Sequence, residues 1–226
     1  MDPYRKNWNL RHKELRNALI KSVDKKKAVE LFLTQHAMVH TGKISRPGLY
    51  SFEDEILRDV SDEDMRRIPK NSNHSLAWVI WHLARVEDVT MNLLVAGCPQ
   101  VLHDSDWLKR MGIKYRHTGN GMDVEDIAGL SNKIDIKELK SYRLGVGKAT
   151  RKNIMRLKPE DFRRMIEPAR VQQIWDEKAM LVGGRGVVDY WSKRDMAGLL
   201  LMPPTRHCFL HLNEARRIKE MIGIRP

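Results

Sequence analysis

His207 and His211, in Arg206-His207-Cys208-Phe209-Leu210-His211, are four residues apart. That spacing puts two imidazoles on one face of an α-helix, where both can grip one metal ion. On a helical wheel Ala215, Ile218 and Ile222 share their face, while Asn213, Arg216 and Glu220 point away. The pair therefore faces inward. His82, in Trp81-His82-Leu83-Ala84-Arg85, shares a stripe with Val79, Val86, Val89 and Leu93 and also faces inward. Three inward imidazoles on two helices imply an open three-histidine site for a divalent metal inside a helix bundle. The competing reading is three core histidines satisfied by hydrogen bonds. More familiar metal motifs are excluded: Cys208 stands where an HExxH protease has its Glu, and no Glu-x-x-His pair of the di-iron kind surrounds these histidines.

Other residues are candidates for chemistry. Glu214 follows in the order His-x-x-x-His-x-x-Glu. It reads as a fourth ligand, an acceptor for an imidazole N–H, a general base, or a surface carboxylate paired with Arg216 or Arg217. His36 and His40 form a second i,i+4 pair, either lining the same cavity for substrate binding and acid–base work or forming the polar end of an amphipathic helix. His117 sits in the Gly-rich turn His117-Thr118-Gly119-Asn120-Gly121, a lid or simply a surface loop. Cys208 reads as a packed small side chain rather than a nucleophile.

Helices must position these groups. The first strong helix is predicted from about Asp24, its N-cap, to His40, stopping at Gly42. Ser51-x-x-Asp54 and Ser61-x-x-Asp64 resemble capping boxes. A second helix runs from Asn73 or Ser75 to about Ala96. A long connection, 98–133, carries short helical signals at 104–111 and 123–130 and is long enough to cross a bundle. A third helix spans about Ile136 to Leu157, weakened by Gly145 and Gly147. Short helices fill 158–185, another covers 189–202 until Pro203-Pro204 breaks it, and the last runs from Thr205, its N-cap, to Ile222, with Gly223 as C-cap. Convincing alternating strands are lacking. The fold expected is all-α: a four-helix bundle with a long crossover connection and additional short helices, in one domain over 1–226, with its core at about 24–222 and 1–21 as an N-terminal extension that includes a short helix.

Composition narrows the function classes. Forty-two per cent of the 226 residues are apolar and 31% charged, which excludes a disordered chain. The longest apolar stretches, such as 197–204, are too short for a membrane span, and 1–15 lacks the apolar core of a signal peptide. With only Cys98 and Cys208, no disulfide framework exists, in keeping with a reducing compartment. A cytoplasmic location is expected, without membrane partners. The net charge of +12 raises nucleic-acid binding. Its basic residues are dispersed along amphipathic helices beside acids, and no nucleic-acid motif is present, so no specific nucleic-acid partner is expected.

The segments Arg67-Ile68-Pro69, Asn73-His74-Ser75-Leu76-Ala77-Trp78-Val79-Ile80-Trp81-His82 and the late His207-x-x-x-His211 resemble the DinB-like (YfiT-like) superfamily of metalloenzymes over about residues 26–222. The resemblance implies a four-helix bundle with a long crossover and a divalent metal, usually nickel or zinc, on His82, His207 and His211. Some relatives are S-transferases or isomerases that use a low-molecular-weight thiol. It thus implies a metal-dependent enzyme acting on a small-molecule substrate, thiol-dependent or hydrolytic. The alternative is a non-catalytic bundle that binds metal or a small ligand as sensor or scaffold. A homodimer is also among the expectations, because Trp-rich bundle faces often pair. The long segment 158–204 and the His36/His40 pair depart from the family's simple pattern.

Overall fold

A computed structural model of the chain describes residues 3–21, 25–45 and 49–224. The helices are α1 (Pro3–Lys21), α2 (Lys25–Met38), α3 (Phe52–Leu57), α4 (Asp62–Arg66), α5 (Leu76–Asp88), α6 (Trp107–Arg110), α7 (Val124–Lys133), α8 (Ile136–Arg156), α9 (Pro168–Asp176), α10 (Arg185–Ser192), α11 (Met196–Leu201) and α12 (Cys208–Met221). No strand occurs among the described residues beyond one isolated bridge, Met165 to Asp195. Val101-Leu102 lie in a 3-10 turn, and Val187-Val188 lie in α10. The all-α expectation holds. No helix among the described residues is long and apolar enough to cross a membrane.

α5 is the central element. Ser75 caps it by accepting the Trp78 N–H, and every residue from Leu76 to Asp88 is buried, as expected of a helix packed on all sides. It lies against α8, α12 and α4. The helix does not stop at Asp88. It continues as a π-helical stretch, Val89–Ala96, until Gly97 closes it with φ +63°, a conformation glycine adopts without penalty. α2 lies on α1 and α8, and α1 also packs on α11.

The buried apolar residues form two clusters. The first takes Leu76–Ala84 of α5 with Leu139, Tyr142 and Leu212; the second takes Val86 and Val89–Val95 with Phe32, Ile154 and Trp191. The boundary along α5 falls at Arg85, Glu87 and Asp88, all fully buried. Such charges persist in a core only when paired and hydrogen-bonded. Arg85 donates to the Tyr142 hydroxyl (2.7 Å) and to Asp88 (3.1 Å), and Asp88 accepts the N–H groups of Val101 (2.8 Å) and Leu102 (3.0 Å). The crossover is thereby stitched to the bundle.

Several local expectations change. Asp24, expected as N-cap, lies outside the described residues. Ser61 and Asp64 make a full capping box, but Asp54 turns from the Ser51 box to accept the Gly42 N–H at 2.7 Å. The helix expected at 189–202 is divided into α10 and α11, and Pro203-Pro204 do not end it. They sit in a π-helical turn, Met202–His207, that leads straight into α12. Thr205 is consequently no N-cap: its hydroxyl donates to the Leu200 carbonyl at 3.1 Å. Gly223 (φ +88°) does close α12, with Gly223 N–H on Glu220 O and Ile224 N–H on Lys219 O, the paired bonds of a Schellman motif.

Candidate metal centre

α5 carries His82, and the junction of the π turn with α12 carries His207 and His211. Because α5 and α12 pack together, the three rings converge, with centroids 4.5 to 5.1 Å apart. His82 Nε2 lies 3.2 Å from His207 Nε2. One ligand atom from each of the three lies within 4.8 Å of the others. Two nitrogens bound to one ion at ~2.1 Å would stand roughly 3.0–3.4 Å apart, so the spacing fits a shared divalent cation.

The groups behind the rings fix which nitrogen faces inward. His82 Nδ1–H donates to the Thr118 carbonyl at 2.5 Å, leaving Nε2 as the lone-pair nitrogen. His211 Nδ1 bonds Glu214 at 2.7 Å, and the other Glu214 oxygen bonds His74 Nδ1, also at 2.7 Å. Burial and the neighbouring His211 lower the His82 pKa to about 3. Burial and the two partner rings hold His207 well below the usual histidine range. Neutral imidazoles with convergent lone pairs are what a metal ligand set requires. Burial works against the Glu214 charge, but the bonds from His211 and His74 outweigh it and keep the carboxylate ionised.

Glu214 is thus engaged behind the rings, where it orients His211, and not on surface Arg216 or Arg217. His74 and Thr118 are members of the site that the sequence reading did not single out. His74 was nevertheless legible: His74, Trp78 and His82 follow at four-residue steps, and in the structure they stack, His74 on Trp78 at 3.7 Å and Trp78 on His82 at 4.8 Å. Thr118 acts through its backbone carbonyl, so side-chain chemistry gave no signal for it.

A cavity of about 400 Å³ opens on His207 and His211, walled by Val86, Val187, Tyr190, Trp191, Met202 and Pro203. Most of these walls come from the segment 158–204 that departs from the simple family pattern. Its size and apolar lining suit a small molecule.

The remaining candidates fall elsewhere. His36 and His40 do not line this cavity and are not the exposed end of an amphipathic helix. Both are fully buried, and each directs Nε2 at one oxygen of Glu87, at 2.8 Å. Thr150 and Arg143 also donate to Glu87, so its carboxylate is saturated. His117 is buried, not a surface loop residue: it accepts the Gly119 N–H and packs edge-on to Trp81. Its turn is pinned by Thr118 N–H on the Ala179 carbonyl and by Gly121 against Gly183, which leaves no free lid. Cys208 is buried, and burial pushes its thiol up to about 12.

No curated protein matches the chain. Residues 54–185, more than half of it, match the family model described as the DinB superfamily. The match takes in α5 with His82 and the crossover with Thr118, and it ends before His207. With the all-helical fold and the converging histidines beside it, this match means that the chain belongs to the DinB superfamily.

Proposed function

We propose that the chain is a metal-dependent enzyme acting on a small molecule, with His82, His207 and His211 as ligands of one divalent cation, nickel or zinc, and a low-molecular-weight thiol as the co-substrate. The observation that carries this reading is the convergence of three imidazoles, two of them held neutral by burial, beside an apolar cavity of about 400 Å³. A three-histidine set leaves coordination positions open, which separates catalytic from closed structural sites. The cation, when bound, keeps a thiol or water deprotonated at neutral pH.

The chain's own groups do the rest. The Thr118 carbonyl and Glu214 fix the orientation of His82 and His211. Trp191, Val187 and Met202 keep the reacting end of the substrate in apolar surroundings. No cysteine of the chain is suited to be the nucleophile: Cys208 is buried with a raised pKa, and Cys98 does not line the cavity. A thiol supplied from solution fits this arrangement better.

The test is metal analysis of protein purified without a histidine tag, followed by turnover. One equivalent of divalent metal is expected in the wild type and none in the His82→Ala/His207→Ala/His211→Ala variant. Full loading of that variant would end the assignment. Metal-loaded protein, offered an electrophile with glutathione, coenzyme A, bacillithiol or mycothiol, is expected to form the thioether only when both metal and thiol are present. Hydrolysis without any thiol would replace S-transfer with a hydrolase.

A further inference from the structure

Beside the metal cavity stands a second cavity of about 560 Å³, with Tyr190 and Met202 in the walls of both. Its chemistry differs. His12 and Arg16 of α1, Lys193 and Arg194 after α10, and Arg206 next to His207 line it; among the described residues, Asp195 is the one carboxylate in its wall. That carboxylate is engaged, since Asp195 caps α11 by accepting the Gly198 N–H at 2.7 Å. Arg206 donates to the neutral Asn9 side chain at 2.9 Å, and Arg194 lies over the Tyr190 ring. Among the described residues, Arg16, Lys193 and Arg194 have no carboxylate partner. Burial, Arg206 and Arg16 lower the His12 pKa to about 4, so the ring is uncharged at neutral pH, and its buried Nδ1 has no partner. Unpaired cations gathered in a concave site focus a positive potential there. α1 and Arg206 lie outside the span of the family match.

We propose that this groove holds the anionic end of the substrate or co-substrate, a phosphate or carboxylate group, while its uncharged end reaches over the Tyr190 rim to His207 and His211. The proposal rests on reading the neighbouring cavity as the reaction site. Arg16, Lys193 and Arg194 supply charge, and Arg206 links the anion subsite to the metal-binding turn.

Pyrophosphate and tricarballylate serve as probes, titrated into full-length, untagged protein at low salt and followed by calorimetry, with metal content measured on the same samples. The wild type is expected to bind one equivalent of at least one probe. Arg16→Glu with Lys193→Glu, both at exposed positions, is expected to weaken binding about tenfold or more, with metal content and the urea midpoint unchanged. A preference for pyrophosphate assigns a phosphate group, and a preference for tricarballylate assigns a carboxylate. Equal binding by wild type and double variant, or no binding of either probe, overturns the anion site. A duplex oligonucleotide bound far more tightly than either probe at physiological salt, and lost in the double variant, would make the groove a nucleic-acid face instead. Protein that takes up no divalent metal when offered it, yet still binds the anion through Arg16 and Lys193, leaves the subsite standing and defeats the metal-enzyme reading. Metal-loaded protein without anion binding defeats only the subsite.

Discussion

At the scale of the residue, Glu214 stands behind the histidine cluster and not within it. Both its oxygens are taken, one by His211 and one by His74. Partners of this kind orient metal ligands and raise their basicity. Glu214→Gln keeps the shape and loses the charge, so metal affinity is expected to fall roughly 10–100-fold in a chelator competition; unchanged affinity would show that the bond orients nothing. Cys208→Ser is expected to leave metal content and turnover intact, because the thiol, raised to about 12, is not available as a thiolate. Loss of turnover at normal metal content would make Cys208 a participant. Histidine spacing was readable because an α-helix converts sequence distance into direction. The Thr118 carbonyl was not, since a backbone acceptor has no residue type.

At the scale of the element, the layer between α2, α5 and α8 decides how the bundle holds together. Arg143 of α8 donates to Glu53 (2.7 Å) and to the Val39 carbonyl (3.0 Å), and lies 3.4 Å from Glu87. Its own burial opposes its charge, but Glu53 and Glu87 more than restore it. Arg143→Met would leave two buried carboxylates without their cation. The expected loss is about 3–5 kcal/mol, typical of removing one partner from a buried ion pair, read from the urea midpoint; a loss below about 1 kcal/mol would contradict a paired layer. Gly147 has a related role. A Cβ there would meet Ile44 at 2.4 Å and His40 at 2.7 Å. The glycine expected to weaken α8 instead permits its close approach, and Gly147→Ala is expected to destabilise by about 1–3 kcal/mol through overpacking. A neutral or stabilising result would show that the neighbours yield freely.

At the scale of the whole molecule, buried neutral histidines make stability depend on pH. Burial holds His40 and His82 at about 3, and His207 is also well below its ordinary value. In the unfolded chain a histidine titrates near 6.5. As pH falls below that value the unfolded state takes up protons and the folded state does not. Their contribution is therefore fully present above about pH 6.5 and declines towards pH 3, by roughly 1.4 kcal/mol per pH unit for each such group. Glu87 is lowered as well, despite its burial, because His36 and His40 both hydrogen-bond its carboxylate. It adds a loss of the same sign below its ordinary carboxylate range. The urea midpoint of metal-free protein is expected to fall steadily from pH 6.5 to 4.5, and a flat profile would mean that these rings are already charged or accessible.

Local features are legible in the chain alone. Apolar periodicity set the helices, and Ser61, Ser75, Asp123 and Gly223 marked ends that the structure keeps, because caps act within one turn of the chain. The inward stripes of His82, His207 and His211 were legible for the same reason. The tertiary structure decided the rest, because it depended on partners far apart along the chain. Pro203-Pro204 continue a π turn into α12 instead of ending a helix. His36 and His40 pair with Glu87, 51 and 47 residues away, and so sit in a sealed polar layer instead of the cavity. The segment 158–204 becomes most of the wall of the cavity beside His207 and His211. Periodicity shows that a side chain faces inward; which inward groups meet is settled only when the helices pack.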